Sequence, residues 1–162
     1  IFQNYNLQNR LSVLDNVLTG LLGQRSTIAT TLGLWPKKDI LMAKNILKDL
    51  GLEAYLYKRA DMLSGGEQQR VSIARARIQN PKLILADEPV ASLDPPTAKK
   101  VLEDLKKVCK EENIAILINL HDVDMALKYA DRILGLSSGK KVWDEKVEKT
   151  NKESFEKIYL KK

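Results

Sequence analysis

The sequence predicts an α/β protein, a mostly parallel sheet carrying an all-helical insert. Residues 82–86 and 114–120 are short apolar runs bounded by turn signals, the pattern of strands buried on both faces. Segments of helical period alternate with them, as crossovers between parallel strands require. Residues 12–57 are helical in pattern and contain no convincing strand, so they form the insert.

The 162 residues, 44% hydrophobic and 30% charged, correspond to one ordinary domain, or most of one, with a sizeable core. No apolar run is long enough to span a bilayer, and no secretory leader opens the chain. It begins at Ile1-Phe2-Gln3, which reads as entry in mid-domain. The net charge of +6 is spread among mixed signs. The lysines beyond Ser137 alternate with Asp144, Glu145, Glu148, Glu153 and Glu156, a solvated face rather than a nucleic-acid footprint. Cys109, the only cysteine, falls on the apolar stripe of a helix and reads as an inert core thiol, in keeping with a reducing compartment.

In chain order, Ile1 and Phe2 lead into the amide-rich residues 3–9, the end of a strand entering a loop. Ser12 and Asp15 fit a cap region before a helix over 13–22, with Gly20 and Gly23 at its end. Residues 24–34 are ambiguous, and Trp35-Pro36 breaks them; Trp35 reads as a partly buried packing residue. Asp39 is expected to cap a helix with Ile40, Ala43, Ile46, Leu47 and Leu50 at helical spacing, closed by Gly51. Val71, Ala74 and Ile78 mark a further helix, stopped by Asn80-Pro81. After the 82–86 strand, Pro89 and Pro95-Pro96 stiffen a loop. A helix from about Thr97 then buries Ala98, Val101, Leu102, Leu105, Val108 and Cys109. A strand over 114–120, a short helix over 123–130, a hairpin turning at Ser138-Gly139 and a last helix near 152–160 complete the chain.

Two stretches carry chemistry. Leu63-Ser64-Gly65-Gly66-Glu67-Gln68-Gln69-Arg70 is a Ser-Gly-Gly turn opening a polar helix. It offers unpaired N–H groups and the positive end of the helix dipole to an anion. Leu83-Ile84-Leu85-Ala86-Asp87-Glu88 is an apolar strand ending in two acids at the edge where α/β sheets bind ligands. Together they point to a nucleotide phosphate and Mg2+, with Asp87 on the ion and Glu88 accepting a proton from an attacking water. His121, the only histidine, follows the second apolar strand at the same edge, where an imidazole can meet a terminal phosphate. Taken singly, His121 reads as a structural imidazole, Gln3 as a loop residue and Asp94 as a helix cap.

These residues together resemble the nucleotide-binding domains of ABC transporters. Residues 63–70 are similar to the signature motif, 83–88 to the Walker B strand with its catalytic Glu, and Ser92-Leu93-Asp94 to the D-loop. His121 matches the switch histidine and Gln3 the Q-loop glutamine. Phe2-Gln3-Asn4-Tyr5-Asn6-Leu7, Tyr57-Lys58-Arg59-Ala60-Asp61 and Asn119-Leu120-His121-Asp122 resemble the branch of ATP-binding subunits that serve phosphonate importers.

The resemblance implies a P-loop NTPase-type core with an all-helical signature subdomain. Residues 1–11 are the Q-loop and the end of a core strand, 12–80 the helical subdomain, and 81–162 the carboxy-terminal part of the core. It implies ATP and Mg2+ as cofactors, Glu88 and His121 as catalytic residues, and Asp87 and Gln3 on the metal. Gln3, Ser64, Gly65, Gly66, Gln68 and Asp94 are the implied nucleotide contacts. The implied partners are a second ATP-binding subunit paired head to tail, membrane-embedded permease subunits and, indirectly, a substrate-binding protein outside the membrane. The implied location is the cytoplasmic face of the membrane.

Two departures stand out. The family's phosphate-binding loop, G-x-x-x-x-G-K-[ST], does not occur: Lys141 follows the only Gly-Lys, Gly139-Lys140, and Leu134 lies five positions before Gly139. The chain is therefore expected to be an amino-terminally truncated cassette, inactive alone. Arg77 stands where the signature helix normally carries an apolar residue. The alternatives are a non-catalytic remnant and an importer of another solute. A chromosome-maintenance ATPase is disfavoured, because 12–57 holds no sustained heptads.

Overall fold

The structure is a computed structural model that describes residues 1–150 and residue 155. Two compact units comprise Ile1–Asn119 and Leu120–Lys162, and each is described by itself.

In the first unit, α1 (Val13–Leu18) is capped by Ser12, whose hydroxyl accepts a hydrogen bond from the Asp15 amide at 3.0 Å. It buries Val13, Leu14, Val17 and Leu18. The helix expected over 13–22 is shorter, because the chain tightens into a 3₁₀ turn over Thr19–Gln24. Gly20 does not end the helix. A Cβ on it would lie 2.4 Å from the Arg75 carbonyl oxygen and 2.8 Å from Ile78 Cγ2, so a close backbone crossing demands glycine there. The ambiguous stretch holds one short helix, α2 (Thr27–Thr31), with no buried residue.

Helix α3 (Lys37–Asp49) begins after Pro36, not at Asp39, which lies within the first turn. The expected cap is corrected by burial. The Asp39 side chain, 2% exposed, accepts two hydrogen bonds from Arg25, from Nε at 2.5 Å and Nη2 at 2.7 Å. Gly51 follows the C-cap Leu50 as expected. Trp35 is half-buried, also as expected. Helix α4 (Gly65–Arg77) carries most of the residues that resemble the signature motif, and α1 packs on both α3 and α4. Residues 9–14 lie against 56–61 through backbone bonds such as Val13 N to Lys58 O, 2.9 Å, and Ala60 N to Leu11 O, 3.1 Å.

Strand β1 (Leu83–Ala86) pairs in parallel with β2 (Ala115–Ile118), Leu83 opposite Ala115 and Ala86 opposite Ile118. The strand expected over 114–120 is shorter at both ends. Between the strands runs α5 (Pro95–Glu111), which begins two residues before Thr97 because Pro is tolerated at a helix's first positions. It packs on α4 and buries the six residues expected, Cys109 among them. Burial pushes the Cys109 thiol above its ordinary pKa, as for an unreactive core thiol. The sheet alternates: Ile84 and Ala86 are buried, whereas Leu83, Leu85 and Leu117 are exposed.

In the second unit, α6 (Val123–Tyr129) precedes a hairpin of β3 (Arg132–Ser137) and β4 (Lys140–Lys146). Ser138 and Gly139 both take positive φ, 50° and 74°, the turn whose twist suits a two-residue hairpin. A small cluster centres on Ile133 and Phe155, flanked by Val123, Leu127 and Trp143. The helix expected near 152–160 lies outside the described residues, Phe155 excepted.

Candidate functional site

The signature turn is built by reciprocal capping. Ser64, with extended backbone, is the N-cap of α4. Its hydroxyl accepts weakly from the Glu67 amide at 3.4 Å, and Glu67 Oε2 accepts from the Ser64 amide at 2.8 Å and hydroxyl at 2.9 Å. Desolvation pushes the Glu67 carboxyl up. The Ser64 and Tyr55 hydrogen bonds and the charge of Lys58 outweigh it, so the net pKa lies below the ordinary value.

The two glycines set what the turn touches. A Cβ on Gly66 would lie 2.3 Å from Thr97 Cγ2, and one on Gly65 would lie 3.0 Å from Tyr5 Oη and 3.1 Å from Leu93 Cδ2. Their absence brings the turn against both the loop that follows Gln3 and the loop that contains Asp94. Asp94 caps α5, accepting from the Thr97 amide at 3.2 Å. Hydrogen bonds from the Thr97 side chain and backbone hold its carboxyl below the usual range. Gln68 turns back on its own chain, donating from Nε2 to the Ala60 carbonyl at 3.0 Å and, less closely, to that of Leu63 at 3.3 Å.

The acids sit where β1 ends. Ile1 runs along the edge of β1 opposite β2: its nitrogen donates to Leu85 O at 2.7 Å, and Asp87 N donates to Ile1 O at 2.9 Å. That pairing sets exposed Gln3 two residues beyond the sheet end carrying Asp87. On the other edge, Asn119 N donates to Ala86 O at 3.0 Å, and Asn119 Nδ2 orients the Asp87 carboxylate by donating to Oδ1 at 2.9 Å. Glu88 takes a left-handed backbone, φ 45°, which costs a non-glycine residue about 1–2 kcal/mol. Such strain concentrates at functional sites, and here buried Pro89 and Val90 hold the turn.

The loop after Gln3 is held from two sides. Arg75 of α4 donates to the carbonyls of Asn6, 2.6 Å from Nη1, and Tyr5, 2.7 Å from Nη2; both residues have positive φ. Asn16, fully buried, donates from Nδ2 to the Gln8 and Ser12 carbonyls, each at 3.0 Å, and accepts from the Gln8 amide at 2.8 Å. Sequence reasoning missed Arg75, Asn16 and Asn119. A polar residue on the buried face of α1 and an amide at the end of β2 were the available signals.

Gln3, Ser64, Gly65, Gly66, Gln68, Asp87, Glu88 and Asp94 thus all belong to the first unit. His121 belongs to the second, exposed in the bend before α6, where Asp122 caps the helix by accepting from the Met125 amide at 2.9 Å. Among the described residues no group of three His, Cys, Asp or Glu side chains is placed to hold a metal ion. A single oriented carboxylate fits Mg2+, which keeps most of its waters and takes phosphate oxygens besides.

The ABC transporter family model matches residues 1–91. The phosphonates import ATP-binding protein PhnC 3 of Halalkalibacterium halodurans is 51% identical over all 162 residues, which span 63% of that protein. The phosphonates import ATP-binding protein PhnC of Bacillus anthracis is 55% identical over 98% of this chain and 62% of its own length. The chain therefore spans somewhat less than two thirds of these curated relatives. Among solved structures, an ATP-binding cassette of an ABC transporter in its ADP conformation superposes with a TM-score of 0.78 at 28% identity, over 99% of this chain and 67% of that one. A dimeric post-hydrolysis cassette bound to ADP and phosphate gives 0.72 at 34% identity, over 90% and 62%.

Proposed function

The chain belongs to the ABC transporter family, and from that membership we propose that it is the signature-bearing part of an ATP-binding subunit. The whole protein couples ATP hydrolysis to import of a phosphonate or related oxyanion. The observation that carries this reading is the packing of the Ser64-Gly65-Gly66 turn against Tyr5, Leu93 and Thr97, in the same unit as the strand that leads into Asp87 and Glu88. The solute is taken from the two relatives, both phosphonates import ATP-binding proteins.

Each residue has a role in this reading. Ser64, Gly65 and Gly66 present a helix N-terminus to the terminal phosphate of a nucleotide held by a second subunit, paired head to tail. Gln68 supports that turn through the Ala60 carbonyl. Glu88 polarises the attacking water, and His121 steadies that water and the phosphate. Asp87, oriented by Asn119, holds Mg2+ through water, and Gln3 adds an amide oxygen. When bound, the ion neutralises phosphate charge during in-line transfer. Asp94 links the two sites of the dimer. Residues 1–11, 12–80 and 81–162 act as Q-loop, helical signature subdomain and core portion. Catalysis is positioning plus electrostatic stabilisation.

The partners are a second ATP-binding subunit, the permease subunits and, through them, a substrate-binding protein. The subunit works at the cytoplasmic face of the membrane; no helix among the described residues is long and apolar enough to cross one.

A chimera tests the proposal. The residues of the Bacillus anthracis relative that precede its match to Ile1 are joined to this chain, and the product is expressed in a bacterium lacking its own phosphonate ATP-binding subunit. Growth on a phosphonate as sole phosphorus source, abolished by Glu88→Gln, is the expected result. Growth that survives Glu88→Gln, or ATP turnover by the 162-residue chain alone, counts against it.

A further inference from the structure

We infer that Arg77 is a positioning residue: its guanidinium ties the C-terminal ends of three helices together and thereby sets the direction of α4, whose other end is the signature turn. Arg77 is the last residue of α4, Asp49 is the last residue of α3, and Glu112 is the C-cap of α5. Arg77 Nη2 lies 2.9 Å from Asp49 Oδ2, and Nε lies 2.5 Å from Glu112 Oε1. The two acids stand 28 and 35 residues away in sequence, so the contacts join elements that nothing local holds together.

The physical case begins with the helix ends. Each C-terminus carries a partial negative charge from its unpaired carbonyls, and here α3 and α5 each add a carboxylate. Without a cation these charges repel. Arg77 supplies one from a side chain only 13% exposed, and its Nη1 is buried with no acceptor among the described residues. Exposed pairs such as Lys48–Glu53 at 4.0 Å and Lys107–Glu111 at 3.9 Å contribute little. Here only the guanidinium is largely enclosed, Asp49 and Glu112 being 57% and 34% exposed, so removing an acid leaves the arginine charge without compensation. The flat fork of arginine serves both acids at once, which neither lysine's point charge nor an apolar side chain can do.

The consequence reaches the other end of the helix. Helix α4 is 13 residues long, about 20 Å at 1.5 Å per residue. A small change of angle at Arg77 therefore moves Ser64, Gly65 and Gly66 appreciably. The clamp rests on the contacts alone; only its importance for nucleotide rests on the proposed function.

The experiment uses the 162-residue chain, the single changes Asp49→Asn and Glu112→Gln, both together, and each in an Arg77→Leu background. Urea midpoints and amide hydrogen exchange at Glu67 and Gln68, whose amides bond Ser64 at the signature turn, are measured in 50 and 500 mM NaCl. The expected result is non-additive losses of stability that disappear in the Arg77→Leu background. Exchange at Glu67 and Gln68 should rise several-fold beyond the rise seen in the middle of α4, with partial rescue by Arg77→Lys. Additive losses, or equal losses with and without Arg77, overturn the clamp. A stability loss that leaves exchange at Glu67 and Gln68 in step with the rest of α4 overturns the positioning role. Should Arg77→Leu not fold, the Asp49→Asn and Glu112→Gln pair decides, since it keeps Arg77 and changes only surface carboxylates. No readout involves nucleotide, so failure here leaves the proposed function standing, and the reverse.

Discussion

Glu67 reaches back across the first turn of α4 so that one of its oxygens, Oε2, serves both the amide and the hydroxyl of Ser64, at 2.8 and 2.9 Å. The signature helix therefore holds a carboxylate of its own at its positive end. Replacing Glu67 with Ala should cost about 1 kcal/mol of stability, the usual worth of a cap. Because the folded pKa of Glu67 lies below its ordinary 4.5, its contribution is full above that value and lost as pH falls through the lowered one. Urea denaturation of wild type and Glu67→Ala should thus differ at pH 7 and converge in acid.

Gly66 faces Thr97 so closely that alanine has no room, since its Cβ would lie 2.3 Å from Thr97 Cγ2. Gly66→Ala should destabilise by about 1–3 kcal/mol despite alanine's better helix propensity. Thr97→Ser removes that methyl and keeps the hydroxyl and the amide that bonds Asp94. The double substitution should recover most of the loss; thermal melts of the four proteins measure it, and no recovery would mean the clash is not the cause.

Arg25 holds the buried carboxylate of Asp39 with two bonds. Arg25→Ala should cost about 2–3 kcal/mol, because it leaves the acceptor unsatisfied. Hydrogen bonding to Arg25 holds the Asp39 carboxyl below its ordinary 3.8, so this support is present above 3.8 and is lost as pH falls through the depressed value. An Arg25→Ala protein as stable as wild type at pH 7 would contradict the assignment.

In the hairpin of the second unit, hydrogen bonds from Arg132 at 2.6 Å and Lys141 at 3.0 Å lower the Asp144 carboxyl to about 2. Carbon-detected titration should place its midpoint there, and Arg132→Gln should move it up toward 3.8. The contribution of these contacts is present above 3.8 and fades as pH falls toward 2. A midpoint unmoved by Arg132→Gln would refute that account.

The sequence made legible whatever local chemistry decides. The helix that opens at the Ser64-Gly65-Gly66 turn, the strand that delivers Asp87 and Glu88, the apolar stripe of α5 and the Ser138-Gly139 turn all follow from nearby residues. Asp39 misled because a good capping residue at a helix start is indistinguishable, in one dimension, from one drawn inward by an arginine 14 positions earlier. Gly20 misled because its reason is the Arg75 carbonyl on another helix. Arg77 broke the expected apolar pattern for the same reason, its partners Asp49 and Glu112 lying far away in sequence. Within the site, the Asn119 amide on Asp87 and the Arg75 grip on Tyr5 and Asn6 exist only once the chain has folded.

The uncovered leucines of the parallel sheet offer the chain a surface for self-association. Leu83, Leu85 and Leu117 stand on one face, 53%, 59% and 55% exposed, on strands whose kind is ordinarily shielded on both sides. Two molecules that meet through this face bury leucine against leucine, and a net charge of +6 opposes the encounter only while salt is low. Colloidal stability of the 162-residue chain should accordingly be greatest in dilute buffer, the reverse of what salting-in would give, and light scattering across a salt series measures it.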